Sequence, residues 1–416
     1  MNRLQTFQDV AEQHLCTGCG ACAYLAPDRY RMVDSADGFR RPLPLVRIDG
    51  RDPEISACPG ASLQHDNPLP ADHDWSVGAE WGPVLEVWEG WAGDADLRWR
   101  GSSGGVTSAL ALHALEHGGM AGVLHSRPVP GSPLRSEATL STDRAGLLDG
   151  AGSRYAPASP CDRLDLVESA AAPCVMVGKP CDVAGAVAAA RQRPPLQQRL
   201  GLTIAVFCAG TPSSRGTHEA LSVLGVAPGE VVDLRYRGHG WPGEFTATTR
   251  DGTEHALSYA DSWGAILQKH RQWRCMICPD HTGEFADLSV GDPWYREIQP
   301  GEHGHSLVVV RSERGREVVR AAIRSGAVVL SRVPATRLVA SQPHLLQVRG
   351  SVLGRTATMR ALSMATPSYR RMPMLRAFWR LGARQKVRAT VGTARRVLRR
   401  GLRHRLPVAT TDTAQD

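Results

Sequence analysis

The sequence predicts an α/β chain whose main domain holds a mixed sheet, preceded by a small cysteine-bearing module and followed by a basic helical tail. Three observations carry this prediction. Strand-like and helix-like segments alternate from about residue 84 to residue 333, as in an α/β core. Cysteines concentrate in two distant groups, Cys16, Cys19 and Cys22 near the start and Cys275 and Cys278 two-thirds of the way along. The stretch from Arg370 to Arg405 contains thirteen Arg and Lys residues and no Asp or Glu.

At 416 residues the chain exceeds one ordinary domain. It divides into a module over 1–65, a main domain over 80–345 and a tail over 350–405. With 42% apolar and 22% charged residues there is ample material for a core. The first residues lack an apolar signal region and no stretch approaches a membrane span, so a cytoplasmic protein is expected. Ten cysteines in that setting argue for reduced thiols in metal or redox chemistry. The net charge of +8 is uneven: residues 1–369 hold 36 basic against 39 acidic side chains, so the body is about −3. An enzyme of nucleic acids would carry positive charge across its body, and no nucleic-acid partner is expected.

Taken in order, Cys16-Thr17-Gly18-Cys19-Gly20-Ala21-Cys22 lets the backbone curl round a compact inorganic core, the spacing used by iron–sulfur cubes. Zinc more often draws on two separated pairs. Ala26 stands before Pro27 where the bacterial ferredoxin run has its fourth cysteine, so Cys58 is assigned as the fourth ligand. A three-cysteine cluster with an open iron is the alternative. Leu63 to Trp81 reads as a linker and Val84 to Trp91 as a strand. It leads to the turn Gly101-Ser102-Ser103-Gly104-Gly105 before a small, apolar helix, an arrangement whose free amides bind phosphate. The turn is neither G-x-G-x-x-G nor a P-loop.

Met120 to His125 reads as a strand and Ser153-Arg154-Tyr155 as a polar turn. Two strand–loop–helix units follow, from Cys174 and from Leu202, placing Lys179, Cys181 and Cys208 at strand ends where ligands gather. Cys161 and Cys174 lack that setting and read as packing thiols. A hairpin turning at Asp251-Gly252 and a helix through Ser262 to Leu267 lead to Cys275 and Cys278. Two more ligands are needed there, and Cys181 and Cys208 are the candidates. A last strand–helix–strand unit runs from His305 to Val333. Lys179 could orient an anionic substrate, His239 could donate a proton, and Asp280, Asp287 and Asp292 read as turn caps or proton carriers.

The motifs CTGCGAC, RGSSGG, GSRY, VGKPCDVAG, FCAGTPS, RGHGWPGEF and RCMICPDHTGEFADLSVGD, in this order, resemble the coenzyme F420 hydrogenase/dehydrogenase beta-subunit family, which includes flavin/iron–sulfur chlorophyllide reductases. The resemblance implies FAD and one or two [4Fe–4S] clusters, with coenzyme F420 a candidate substrate. It makes Gly101 to Gly105 the flavin-phosphate turn, Ser153, Arg154 and Tyr155 part of the flavin pocket, and Cys181, Cys208, Cys275 and Cys278 cluster ligands. The fold it implies is a flavin-binding, mixed-sheet main domain with a ferredoxin-like iron–sulfur module. The module is shorter than in members with doubled ferredoxin motifs. Lys179 stands where many members have Thr, so their substrates do not transfer.

Clusters move single electrons and a flavin accepts one or two, so together they join a ferredoxin-like donor to two-electron chemistry on a small organic substrate. The competing class is a non-redox accessory protein of a polysaccharide-biosynthesis complex with a structural metal at Cys275 and Cys278. In the tail, Leu375, Phe378, Trp379, Ala383, Val387, Val391, Ala394, Leu398 and Leu402 recur at helical spacing beside Arg376, Arg380, Arg384 and Arg388. An amphipathic helix docking on an anionic membrane surface or an acidic protein is expected over 370–405, which would place the protein at the inner membrane face.

Overall fold

Short runs of Val, Ile and Leu bounded by glycine and polar turns form the strands of one eight-stranded sheet. The computed structural model describes residues 4–66, 68–299 and 301–410. Across the sheet the strands run Val328–Val333, Glu86–Ala92, Ser306–Val310, Leu288–Gly291, Leu200–Val206, Cys174–Gly178, Val123–Val129 and Ser132–Ser141. Pairings among Leu288–Gly291, Leu200–Val206, Cys174–Gly178 and Val123–Val129 are parallel. The remaining four are antiparallel, so the expected mixed sheet is present.

Three strand features differ from the sequence reading. Leu288–Gly291 is a four-residue strand buried throughout, too short between Asp287 and Asp292 to display any period. The strand from Val123 turns into a hairpin with Ser132–Ser141. Glu86–Ala92 inserts between Ser306–Val310 and Val328–Val333, so the last strand–helix–strand unit straddles the first strand instead of pairing with itself.

The helix Val106–His117 lies against this sheet through Val106, Leu110 and Ala114, meeting Val175, Leu202, Ile204 and Val308 in the main core. Pro180–Ala190 begins with proline at its first position, where a missing N–H costs nothing, and Asp182 accepts the Lys179 N–H at 3.0 Å. Against Ser132–Ser141 and the helix Ser214–Leu224, the strands Val231–Arg235, Phe245–Thr249 and Glu254–Leu257 form a three-stranded antiparallel sheet. Its hairpin turns at Gly252 with φ +83°, where glycine is free to go.

The N-terminal module comprises the helices Phe7–Glu12 and Ala21–Leu25, the hairpin Tyr30–Asp34 with Arg40–Pro44, and a 3₁₀ turn, Pro53–Ala57. Its core is shared with the other end of the chain: Phe7, Leu15 and Ile55 pack with Met359, Ala365, Val397 and Leu402. Ser368–Arg370 adds a parallel strand to Ser62–Gln64, and the Leu406 N–H donates to Glu12 O at 2.8 Å. The tail is therefore docked, not free. It divides into Leu375–Trp379 and Ala383–Arg399, which lie on the helix Leu345–Ala361. Ala377, Ala389, Thr393 and Val397 face inward, while Trp379, Val387, Val391 and Leu398 stay exposed. Gly350 and Gly354 allow this approach: a Cβ on Gly350 would lie 2.6 Å from Ala377 O, and one on Gly354 would lie 3.2 Å from Ala389 Cβ. No helix among the described residues is long and apolar enough to cross a membrane.

Candidate functional site

A cleft opens at the carboxyl ends of the parallel strands, lined by Gly178 and Lys179, by Phe207 to Pro212, and by Gly291 and Asp292. This is where open α/β sheets bind ligands. Gly101, Ser102, Ser103 and Gly105 reach the same cleft from the opposite wall. Gly104 and Gly105 both take φ +71°, and a Cβ on Gly105 would lie 2.2 Å from Leu97 O. The turn thus folds flat against the preceding helix, Ala95–Arg100, and delivers the chain to the N-terminus of Val106–His117. Ser153 N–H donates to Ser102 Oγ at 2.6 Å, which ties the predicted polar turn to the glycine turn.

Arg154 and Tyr155 also line the cleft, but differently. The Arg154 guanidinium turns toward Pro133 O, at 2.7 Å, and Ser136 Oγ, at 3.1 Å. Tyr155 stays in the cleft with its ring 4.7 Å from Trp263, which a π-helical turn, Ala260–Ile266, carries inward. Tyr259 stacks on Trp294 at 5.3 Å, and the Arg237 guanidinium lies over both rings. Arg237 is buried, pairs with Asp292 at 2.7 Å and donates to Ser102 O at 2.6 Å. Sequence reading named Tyr155 but missed Tyr259, Trp263, Trp294 and Arg237, because these residues meet only through the fold. The run RGHGWPGEF held the one signal available.

His239 is not brought to this cleft. It is exposed, with φ +57°, and its ring stacks on Trp99 at 5.7 Å beside a separate groove. Lys179 is in place, with Nζ 2.6 Å from Asp182. Burial alone would lower its ammonium pKa, but Asp182, Cys181 and Cys208 outweigh that and hold it raised. Asp280 accepts from the N–H groups of Thr282, Gly283 and Glu284, Asp287 from Thr203 and Ser312, and Asp292 from Arg237 and Trp241. All three carboxylates are engaged in holding turns and strands.

The cysteines assemble as two neighbouring groups. In the first, burial and then the nearby Cys16, Cys19 and Cys58 push the Cys22 thiol pKa well up. In the second, burial and Cys275 push Cys208 up to about 12, and burial, Asp182, Cys208 and Cys278 raise Cys181. Cys208 lines the cleft, so the second group reaches it. Cys161, read as a packing thiol, lies against the first group: the hydrogen bond between its thiol and Cys19 is the largest influence lowering Cys19. Cys174 is buried in the sheet as expected.

One short helix, Trp273–Met276, joins the groups. Arg274, just before Cys275, donates from Nη2 to the carbonyl of Pro59, just after Cys58, at 2.8 Å. Gln272 Nε2 donates to Thr17 O at 3.1 Å and accepts from Arg41, which also donates to Cys16 O at 2.9 Å. As the side chains stand, no three His, Cys, Asp or Glu among the described residues form a ready site for a metal ion. The surroundings nevertheless suit an anionic, thiolate-held group. The Gly18 and Thr211 N–H groups donate to Cys16 Sγ and Cys275 Sγ at 3.3 Å, and Arg274 Nε and Nη1 are buried without partners.

Residues 87–164 match the N-terminal part, and residues 173–336 the C-terminal part, of the family described as coenzyme F420 hydrogenase/dehydrogenase, beta subunit. The two matches cover more than half of the chain and leave the first cysteine group and the tail outside. An uncharacterized protein of Methanocaldococcus jannaschii is 23% identical over 339 residues, covering 77% of this chain and 89% of its own length. Among solved structures, a chain of the F420-reducing [NiFe] hydrogenase complex from Methanosarcina barkeri superposes with a TM-score of 0.52 at 18% identity, covering 68% of this chain and 95% of that one. That likeness is one of fold.

Proposed function

Since the chain belongs to the coenzyme F420 hydrogenase/dehydrogenase beta-subunit family, whose business is redox electron transfer, we propose that it is an iron–sulfur flavoprotein oxidoreductase. In this reading electrons pass between a one-electron carrier of the ferredoxin kind, or reduced coenzyme F420, and a small organic substrate. The observation that carries it is the placing of two four-cysteine groups side by side, the second abutting the cleft. Cys16, Cys19, Cys22 and Cys58 would hold one [4Fe–4S] cluster, Cys181, Cys208, Cys275 and Cys278 the other, and the cleft FAD. The clusters would supply single electrons and the flavin would convert them to hydride chemistry.

The chain's own residues set the terms. With the Gly101 N–H held by Leu97 O, the backbone amides of Ser102 to Gly105 and the N-terminus of Val106–His117 would offer donors and a positive dipole end to phosphates. Arg237, neutralised by Asp292, braces that turn through Ser102 O. Tyr155, Tyr259, Trp263 and Trp294 give planar walls for an aromatic ring and exclude water. Lys179, ion-paired with Asp182, lines the cleft near Cys181 and Cys208, where its ammonium can still donate to an anionic substrate. Protein purified without oxygen should be brown and contain iron, acid-labile sulfide and non-covalent FAD. Zinc without sulfide would overturn the reading and favour a structural metal site.

The tail supports a docking role on an anionic membrane surface. Val387, Val391 and Leu398 form an outward stripe, 57%, 64% and 61% exposed, with Trp379 at 67% beside them. Arg384, Arg388, Arg395 and Arg399 run along one edge of that stripe at helical spacing. Apolar side chains dip into the interface while each nearby Arg adds about 1 kcal/mol on anionic lipid. Replacing Val387, Val391 and Leu398 with Ser should abolish co-sedimentation with anionic vesicles without disturbing the buried face. Undiminished co-sedimentation would remove the membrane reading, and binding to an acidic carrier protein instead would reassign the surface.

A further inference from the structure

Arg274 is among the largest fully buried side chains of the protein, 1% exposed. It has no carboxylate partner among the described residues. Its guanidinium donates once, to Pro59 O, lies 5.7 Å from the centre of the Tyr369 ring, and leaves Nε and Nη1 unsatisfied. An unpaired buried cation costs several kcal/mol, and unsatisfied N–H groups add to that. Compensation has to come from negative charge close by, and the groups facing Arg274 are Tyr369, Cys278, Cys181 and Cys275.

The first cysteine group also has an arginine, but a neutralised one. Arg41 pairs with Asp37 at 3.0 Å while reaching Cys16 O. Lys179, on the cleft side of the second group, is likewise paired with Asp182. Arg274 therefore brings an unneutralised charge to Cys275, Cys278 and Cys181, while toward the first group it offers a single N–H, to the Pro59 carbonyl. Half-buried Arg271, which donates to Gln268 O and Ala209 O, adds to it from outside.

Building on the iron–sulfur reading above, we propose that Arg274 is a positioning residue that raises the reduction potential of the second cysteine group above that of the first, so that an electron settles beside the cleft. A thiolate-held cube becomes one unit more negative on reduction, and a nearby cation with free N–H donors stabilises the more negative state. The step is the loss of one electron by the first group and its gain by the second. No proton moves, because the guanidinium stays charged throughout.

The test uses the full chain, purified anaerobically, as wild type, Arg274→Lys and Arg274→Gln, with Cys58→Ala to identify the signal of the first group. Iron, sulfide and flavin are counted first. A wild type without iron and sulfide ends the iron–sulfur reading itself, whatever Arg274 does. With clusters present, spectroscopically monitored redox titration should show Arg274→Gln shifting the electron distribution at least about tenfold toward the first group, about 59 mV for a one-electron couple. Arg274→Lys, which keeps the charge, should restore most of that distribution. Should Arg274→Gln lose iron, Tyr369→Glu neutralises the cation in place and should produce the same shift. Clusters retained with both potentials unchanged in either variant would overturn the proposal.

Discussion

Cys58 is the test of the first cysteine group at the scale of one side chain. It caps the Pro53–Ala57 turn, and its thiol is pushed up by burial, Cys19 and Cys16. Cys58→Ala should remove the iron of the first group and leave that of the second, as read by iron counts and low-temperature spectroscopy; unchanged iron would strike Cys58 from the ligand set. Gly104→Val should release flavin and spare the iron, because φ +71° and a Cβ 3.0 Å from the His305 backbone strain the turn itself. Full flavin occupancy in that variant would move the phosphate site elsewhere. Glu284, buried against Arg349 and His65, has its carboxyl lowered to about 2: burial raises it, and Arg349 and then His65 more than reverse this. A lowered carboxyl pKa gives stability that is complete above the unfolded value near 4.5 and is lost as pH falls toward 2. Glu284→Gln should cost about 3 kcal/mol near pH 6, by leaving Arg349 buried and unpaired, and the gap from wild type should close toward pH 2. A gap in melting temperature independent of pH would show that packing, not charge, holds this pair.

Among elements, Trp273–Met276 does more than its four residues suggest, since it carries a cysteine of one group and reaches the peptide bonds of the other. The sequence announced its cysteines by their spacing. It could not announce the bridge, because a Gln or Arg beside a cysteine carries no mark of a partner some two hundred residues away. The parallel strands from Cys174 and Leu200 were readable as continuous apolar runs ending in loops, which is how buried parallel strands look. Leu288–Gly291 was not, because four residues show no period. In the tail the helical spacing was legible, but which face turns inward was decided by Gly350 and Gly354 on another helix. Gly350→Val should therefore lift Leu375–Trp379 from its seat, costing about 1–3 kcal/mol as overpacking does, and hasten proteolysis between residues 370 and 400. An unaltered digestion pattern would mean that the tail adjusts without undocking.

For the whole molecule, α/β class and mixed sheet followed from alternating segments, and the cleft from the rule that ligands gather at strand carboxyl ends. The joining of the two chain ends had no such rule to announce it. Ser368–Arg370 pairs with Ser62–Gln64, Leu406 bonds Glu12, and Met359, Val397 and Leu402 complete the core around Cys16 and Cys22. Synthesis on the ribosome therefore meets the first four cysteines early and their shelter last. The module begun by Phe7 waits, with its thiols uncovered, until residues beyond 400 have left the exit tunnel. On the iron–sulfur reading, iron would be held by these early cysteines only after residues beyond 400 have emerged, and a stalled nascent chain of about 340 residues should already shield Cys181 from alkylation while Cys22 still reacts.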